Sequence, residues 1–248
     1  MTSRSRPISD GEELIASLRR QPLLVVFRPE APLQLAPLLE PLQALGLVHV
    51  ELACLPRDDW SRQCRDLVTA FPSLRIGGAS IVSREALRAA LEAGLSYGVS
   101  PVLDPALLEE AAALGFPLVP GVMTPTEVQT GTRLGPGLVK LFPASTLGPS
   151  YWSRLREPLG GALPFCIAAG GLGPAEVSEW LSAGVDAVAV GSRWLGIGTT
   201  DGTEGINVEP LRALLEAISL QTHPSSATDN RDVHPTHVST DHHHQRQS

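Results

Sequence analysis

At 248 residues the chain is long enough for one large α/β barrel or for two smaller domains. Its net charge of −7 and pI near 5.5 speak against a nucleic-acid-binding or anionic-membrane surface. No run of about eighteen apolar residues occurs, and the polar start Met1-Thr2-Ser3-Arg4-Ser5-Arg6-Pro7 lacks a signal-type apolar core, so no membrane partner and a cytoplasmic location are expected.

The first predicted element is a helix opened by Ser9-Asp10-Gly11-Glu12, which has capping-box spacing. Short apolar runs then recur at Leu23–Phe27, Val48–Leu52, Leu74–Gly77, Tyr97–Val99, Pro117–Pro120, Leu138–Phe142, Phe165–Ala168 and Ala187–Val190. Between them lie segments of helical periodicity, among them Pro32–Leu45, Ser83–Ala93, Pro105–Leu114, Pro174–Ala183 and Glu209–Leu220. Pro37 and Pro41 should kink or interrupt the first of these. Glycine closes several of these segments, as in Leu45-Gly46, Ala93-Gly94 and Ala183-Gly184. Eight strands alternating with helices imply right-handed crossovers and a (β/α)8 TIM barrel preceded by an extra N-terminal helix. A doubly wound open sheet is the competing architecture, but the first turn, Phe27-Arg28-Pro29-Glu30, has no glycine-rich nucleotide fingerprint. The boundaries that follow are a flexible arm at 1–8, a barrel domain at 9–220 and a disordered His-rich tail at 221–248.

Six of the seven histidines (His223, His234, His237, His242, His243 and His244) fall in that tail, leaving only His49 in the body. A His-ligated catalytic metal or a Ser-His-Asp triad is therefore not expected. Cys54, Cys64 and Cys166 show no paired or metal-like spacing and read as reduced and mostly buried. The chain has a single lysine, Lys140; every other residue of its nineteen Lys and Arg is arginine. A solvated cation is served by either type, whereas only a desolvated lysine sheds its proton and becomes a nucleophile. Lys140 stands in the apolar stretch Gly137-Leu138-Val139-Lys140-Leu141-Phe142-Pro143, where a solvating cation is out of place. A reactive amine is the preferred reading over chance survival in an arginine-biased composition.

Barrel chemistry gathers at the carboxyl ends of strands. Those ends offer Arg28 after the first run, Glu51 in the second, Ser80 after the third and Ser100 after the fourth. Lys140 follows in the sixth, Gly170-Gly171 after the seventh and Gly191-Ser192 after the eighth. In Val48-His49-Val50-Glu51-Leu52, strict alternation sends His49 and Glu51 into the barrel, where a carboxylate is costly unless paired. Lys140 is the natural partner of Glu51, and a catalytic pair is favoured over a structural one. Backbone amides of Gly170, Gly171, Gly191 and Ser192 are candidates to converge on an anion, at the usual phosphate position of such barrels.

From about Ile15 to Leu195 the chain resembles the aldolase family of 2-keto-3-deoxy-6-phosphogluconate and 4-hydroxy-2-oxoglutarate. The landmarks are Val25-Val26-Phe27-Arg28, the Glu51 strand, Gly77-Gly78-Ala79-Ser80, Ser100-Pro101, Pro120-Gly121-Val122-Met123-Thr124-Pro125-Thr126-Glu127, Val139-Lys140-Leu141-Phe142-Pro143, Ala169-Gly170-Gly171 and Val190-Gly191-Ser192. The resemblance implies a class I aldolase with Lys140 as the Schiff-base lysine and Glu51 as the general acid/base. It also implies Arg28 and Ser80 near the substrate carboxylate, Ser100 and Pro101 in the substrate site, and the paired glycines with Ser192 around a phosphate. A phosphorylated keto acid or pyruvate as ligand, no cofactor and a homotrimer complete the implied picture.

The departures concern recognition. Ala79-Ser80 stands where many relatives have Gly-Thr, and Ala168-Ala169 where many have Pro-Thr; Leu55 occupies a position that carries Arg in some, with Arg57 two residues on. These leave open 4-hydroxy-2-oxoglutarate as substrate, or a ligand-binding barrel that has lost turnover. The lysine lyases of N-acetylneuraminate and dihydrodipicolinate are a further rival. They are longer chains with a tyrosine beside the lysine, and neither Tyr97 nor Tyr151 fits that placement.

Overall fold

The computed structural model describes residues 10–195 and 207–222. The expected capping residue Ser9, the arm and residues 223–248 of the tail lie outside them. Helix α1 (Asp10–Arg20) precedes strand β1 (Leu23–Phe27), which a 3-10 turn joins to α2 (Ala36–Ala44). There follow β2 (His49–Ala53), α3 (Trp60–Ala70), β3 (Arg75–Ala79), α4 (Arg84–Glu92), β4 (Tyr97–Val99) and α5 (Pro105–Ala113). The second half comprises β5 (Leu118–Val119), β6 (Gly121–Val122), α6 (Pro125–Leu134), β7 (Leu138–Leu141), α7 (Ala144–Leu147), α8 (Ser150–Arg154), β8 (Phe165–Ala169), α9 (Val177–Ser182), β9 (Ala187–Gly191) and α10 (Glu209–Thr222).

All strand pairs are parallel, in the order β5-β4-β3-β2-β1-β9-β8-β7-β6. The two ends of that order, β5 and β6, are consecutive in the chain and separated only by Pro120. Among the described residues nine strands are thus found where eight are expected, because the fifth is divided. Proline has no N–H to give the ladder. The half before it bonds to β4 and the half after it to β7, with the Pro120 carbonyl accepting from the Lys140 amide at 2.8 Å. The division lets the fifth strand change partner, and the barrel nearly closes.

Both strand faces are buried, as a parallel barrel requires. Leu23, Val25 and Phe27 pack outward with Leu39, Trp60, Leu87 and Trp152. The inward face carries Leu24, Tyr97, Val99, Leu138, Phe165 and Ile167, and α1 adds Leu14 and Leu18 to this interior set. The Ser17 hydroxyl lies 2.9 Å from Nε2 of buried His49. The extra helix thereby plugs the amino-terminal end of the barrel and accounts for the one histidine of the body. Burial depresses the His49 pKa to about 4, so its ring is neutral. The predicted Pro32–Leu45 helix is interrupted after Leu35, with Pro37 in the first turn of α2 and Pro41 within it.

Candidate active site

Lys140 is carried by β7 and Glu51 by β2, and both side chains turn into the barrel with 8% and 2% exposure. Glu51 is in register with Val26 on one side and Gly77 on the other. Burial raises its pKa to about 7, although the positive charges of Lys140 and Arg28 favour the carboxylate. Burial also lowers the Lys140 pKa, against the pull of Glu51 and with help from Arg28. Desolvation prevails at both groups, so an amine able to attack and a carboxyl able to give and take protons near neutrality share one site. No ion pair within 4 Å joins the two among the described residues, and Glu51 Oε1 is sealed without a hydrogen-bond partner. Lys140 Nζ lies 4.5 Å from the centroid of the Phe142 ring.

A cavity of about 520 Å³ opens above Lys140. Arg28, Gly170, Gly171, Gly191 and Ser192, all singled out from the sequence, line it together with Lys140. Arg28 donates to Ser80 Oγ at 3.3 Å, which ties the ends of β1 and β3. Ser80 holds the left-handed conformation (φ 62°), the only described non-glycine residue to do so. Such a conformation is strained for a residue with a Cβ and persists where its surroundings impose it. Gly170 and Gly171 also have positive φ, and a Cβ on Gly170 would strike the Phe142 ring.

Of the residues singled out from the sequence, Glu51, Ser80, Ser100 and Pro101 are not among those lining the cavity. The Ser100 hydroxyl accepts from the Val102 amide at 3.2 Å and braces the turn after β4. The Pro101 backbone occupies the space a side chain on Gly121 would need. Arg57 does not reach the cavity either; it is committed to the Asp59 carboxylate and the Glu30 carbonyl. Ala79 and Ala169, where relatives carry other residues, do line the wall. So do Phe142, Arg193 and Trp194, which the sequence did not single out. The Trp194 indole nitrogen is buried with no hydrogen-bond partner. Among the described residues no group of three or more His, Cys, Asp or Glu side chains is arranged to hold a metal, and no helix is long and apolar enough to cross a membrane. Cys64 and Cys166 are buried, Cys54 partly so, and all three are free thiols.

A lysine amine and a carboxyl group, both perturbed by burial inside a nearly closed parallel barrel, place the chain among the α/β barrels that carry polar groups toward the carboxyl ends of their strands. The family is that of KDPG and KHG aldolases: its model matches residues 14–206, and the chain belongs to it as a carbon–carbon lyase. Among relatives, a probable 2-dehydro-3-deoxy-6-phosphogalactonate aldolase of Rhizobium meliloti is 29% identical over 173 residues, covering 69% of this chain and 81% of that one. A 2-dehydro-3-deoxy-phosphogluconate aldolase of Pseudomonas aeruginosa is 29% identical over 178 residues, covering 71% and 79%. In structure, the 2-keto-3-deoxy-6-phosphogluconate aldolase from Zymomonas mobilis superposes with a TM-score of 0.67 at 25% identity, over 83% of this chain and 96% of that one.

Proposed function

We propose that this chain is a class I aldolase. It cleaves a 2-keto-3-deoxy-6-phospho sugar acid, such as 2-keto-3-deoxy-6-phosphogluconate, to pyruvate and glyceraldehyde 3-phosphate. The observation that carries the reading is the position of the only lysine, desolvated in the cavity wall within electrostatic reach of the buried Glu51. Neutral Lys140 adds to the keto carbon, and loss of water from the carbinolamine gives an iminium. Glu51, acting through a water, takes the proton of the C4 hydroxyl. The C3–C4 bonding pair then flows into the iminium, releasing the aldehyde and leaving an enamine. Protonation of that enamine at C3, followed by hydrolysis, frees pyruvate and restores the amine. Arg28, braced by Ser80, is suited to the substrate carboxylate. Gly170, Gly171, Gly191 and Ser192 are assigned to the phosphate. The homotrimer and cytoplasmic setting implied by the resemblance belong to the same proposal.

A second reading, cleavage of 4-hydroxy-2-oxoglutarate to pyruvate and glyoxylate, is favoured by Ala169, which brings no hydroxyl to the cavity wall. Steady-state cleavage of the phosphorylated gluconate and galactonate acids, their unphosphorylated forms and 4-hydroxy-2-oxoglutarate tests both. A phosphorylated acid should show the lowest KM. Absence of turnover on the whole panel would leave a ligand-binding barrel instead.

The anion site has a direct test at Gly191. A Cβ there meets nothing within 4 Å and the backbone is not left-handed, whereas one at Gly171 would collide with Ser145. Gly191→Asp therefore adds a charge with little distortion. It should raise KM for the phosphorylated substrate by about tenfold or more and leave an unphosphorylated one nearly unchanged. Equal effects on both substrates would remove the phosphate from this rim.

A further inference from the structure

Two strands over from Glu51 the barrel interior holds a phenol that this mechanism does not use. Tyr97 is fully buried, and its hydroxyl has no hydrogen-bond partner. The β-ladder places Glu51, Gly77 and Tyr97 in one row across three adjacent strands. Gly77 lacks a side chain, and the Tyr97 ring fills the space above it: a Cβ added to Gly77 would fall on Cζ and both Cε atoms of the ring. The hydroxyl, attached to Cζ, is carried past Gly77 toward β2, where the next residue of the row is Glu51. Glu51 Oε1 is also buried and unpartnered. A donor without an acceptor and an acceptor without a donor thus stand in the same row. Each is costly to leave unsatisfied in a low-dielectric interior.

We propose that Tyr97 is the positioning residue for Glu51, its O–H holding Oε1 through one buried water or directly after a small side-chain turn, so that the other carboxylate oxygen is presented to Lys140 and substrate. The inference deepens the aldolase reading and rests on Glu51 as the proton carrier. Lys140 from β7 and Arg28 from the end of β1 are the charges that act on Glu51. Arg75, at the start of β3, acts on Tyr97. Burial and the Glu51 charge hold the phenol protonated, so it remains a donor across the working pH range. A donor to the carboxylate favours the ionised, base form. Gly77 is part of the device, because any side chain there would displace the ring.

Tyr97→Phe keeps the ring and removes only the donor. The acid limb of kcat/KM should move up by on the order of one pH unit, which costs up to about tenfold below the limb and little at alkaline pH. KM and borohydride trapping of pyruvate on Lys140 should stay as in the parent. An unmoved pH profile in a folded variant would reduce Tyr97 to core packing. A second measurement uses the parent sequence grown with 3-fluorotyrosine, since the chain has only two tyrosines and Tyr151→Phe assigns the other. The Tyr97 fluorine resonance should titrate with Glu51 and stop titrating in the Glu51→Gln background; a resonance insensitive to that change would overturn the pairing. This readout needs no turnover. A parent enzyme that neither cleaves nor traps would sink the aldolase reading and leave the Tyr97–Glu51 test standing.

Discussion

Lys140→Arg is expected to lose turnover by on the order of 10⁴-fold or more and to lose all covalent capture of pyruvate. The guanidinium stays protonated and cannot add to a carbonyl, yet it keeps the positive charge and most of the length, so loss of charge is not the cause. Incubation of the parent with pyruvate and borohydride should fix one reduced pyruvyl group per chain. The only other primary amine is the N-terminus, because Lys140 is the sole lysine. Mapping is correspondingly simple. Trypsin cuts after free Lys140 but not after its alkylated form, so the adduct should appear on a single peptide running from Leu134 to Arg154. Labelling that persists in Lys140→Arg would end the Schiff-base assignment.

The strand β1 was legible to the residue because it is a pure apolar run bounded by Pro22 and by Arg28-Pro29. The inward turn of Glu51 followed from alternation alone, since period-two geometry leaves a side chain in β2 only two faces. The fifth strand was less legible. Pro117–Pro120 looked like one short run, and only the ladder shows Pro120 dividing two strands with different partners. Helix α3 shows a start signal used for something else: Asp59 occupies the cap position, but its carboxylate serves Arg57 and Gln63 instead of a helix amide.

The least legible part of the site is the part made by tertiary packing. Phe142 faces the cavity because a turn after β7 places its ring against Gly170, and Arg193 and Trp194 come from a 3-10 turn after β9. An orphaned hydroxyl such as that of Tyr97 is defined by what surrounds it, and no spacing along the chain reports that. Ser100 illustrates the reverse: a polar residue at a strand end braces its own turn and lines no cavity.

Glu51→Gln separates proton transfer from amine chemistry. Glutamine keeps the shape and neutral hydrogen bonding but cannot carry the proton, so kcat should fall by on the order of 10²–10⁴. Exchange of the pyruvate methyl protons with solvent should fall with it. Trapping by borohydride should survive, because the Glu51 charge is what raises the Lys140 pKa, and its removal leaves the amine more often neutral. Stability supplies an independent check with a definite sign. Glu51 titrates at about 7 in the fold against an ordinary value of 4.5, so the fold holds its proton more tightly than the unfolded chain. That contribution is fully present below pH 4.5 and is lost as pH rises through 7. Over this interval the parent should lose roughly 3 kcal/mol relative to Glu51→Gln, which has no such group to ionise. Denaturant midpoints of the two proteins, compared at pH 4.5 and 7, read that divergence. Near-normal methyl exchange in the variant would assign the proton to another group. Parallel stability curves would mean that Glu51 is ionised and well solvated in the fold.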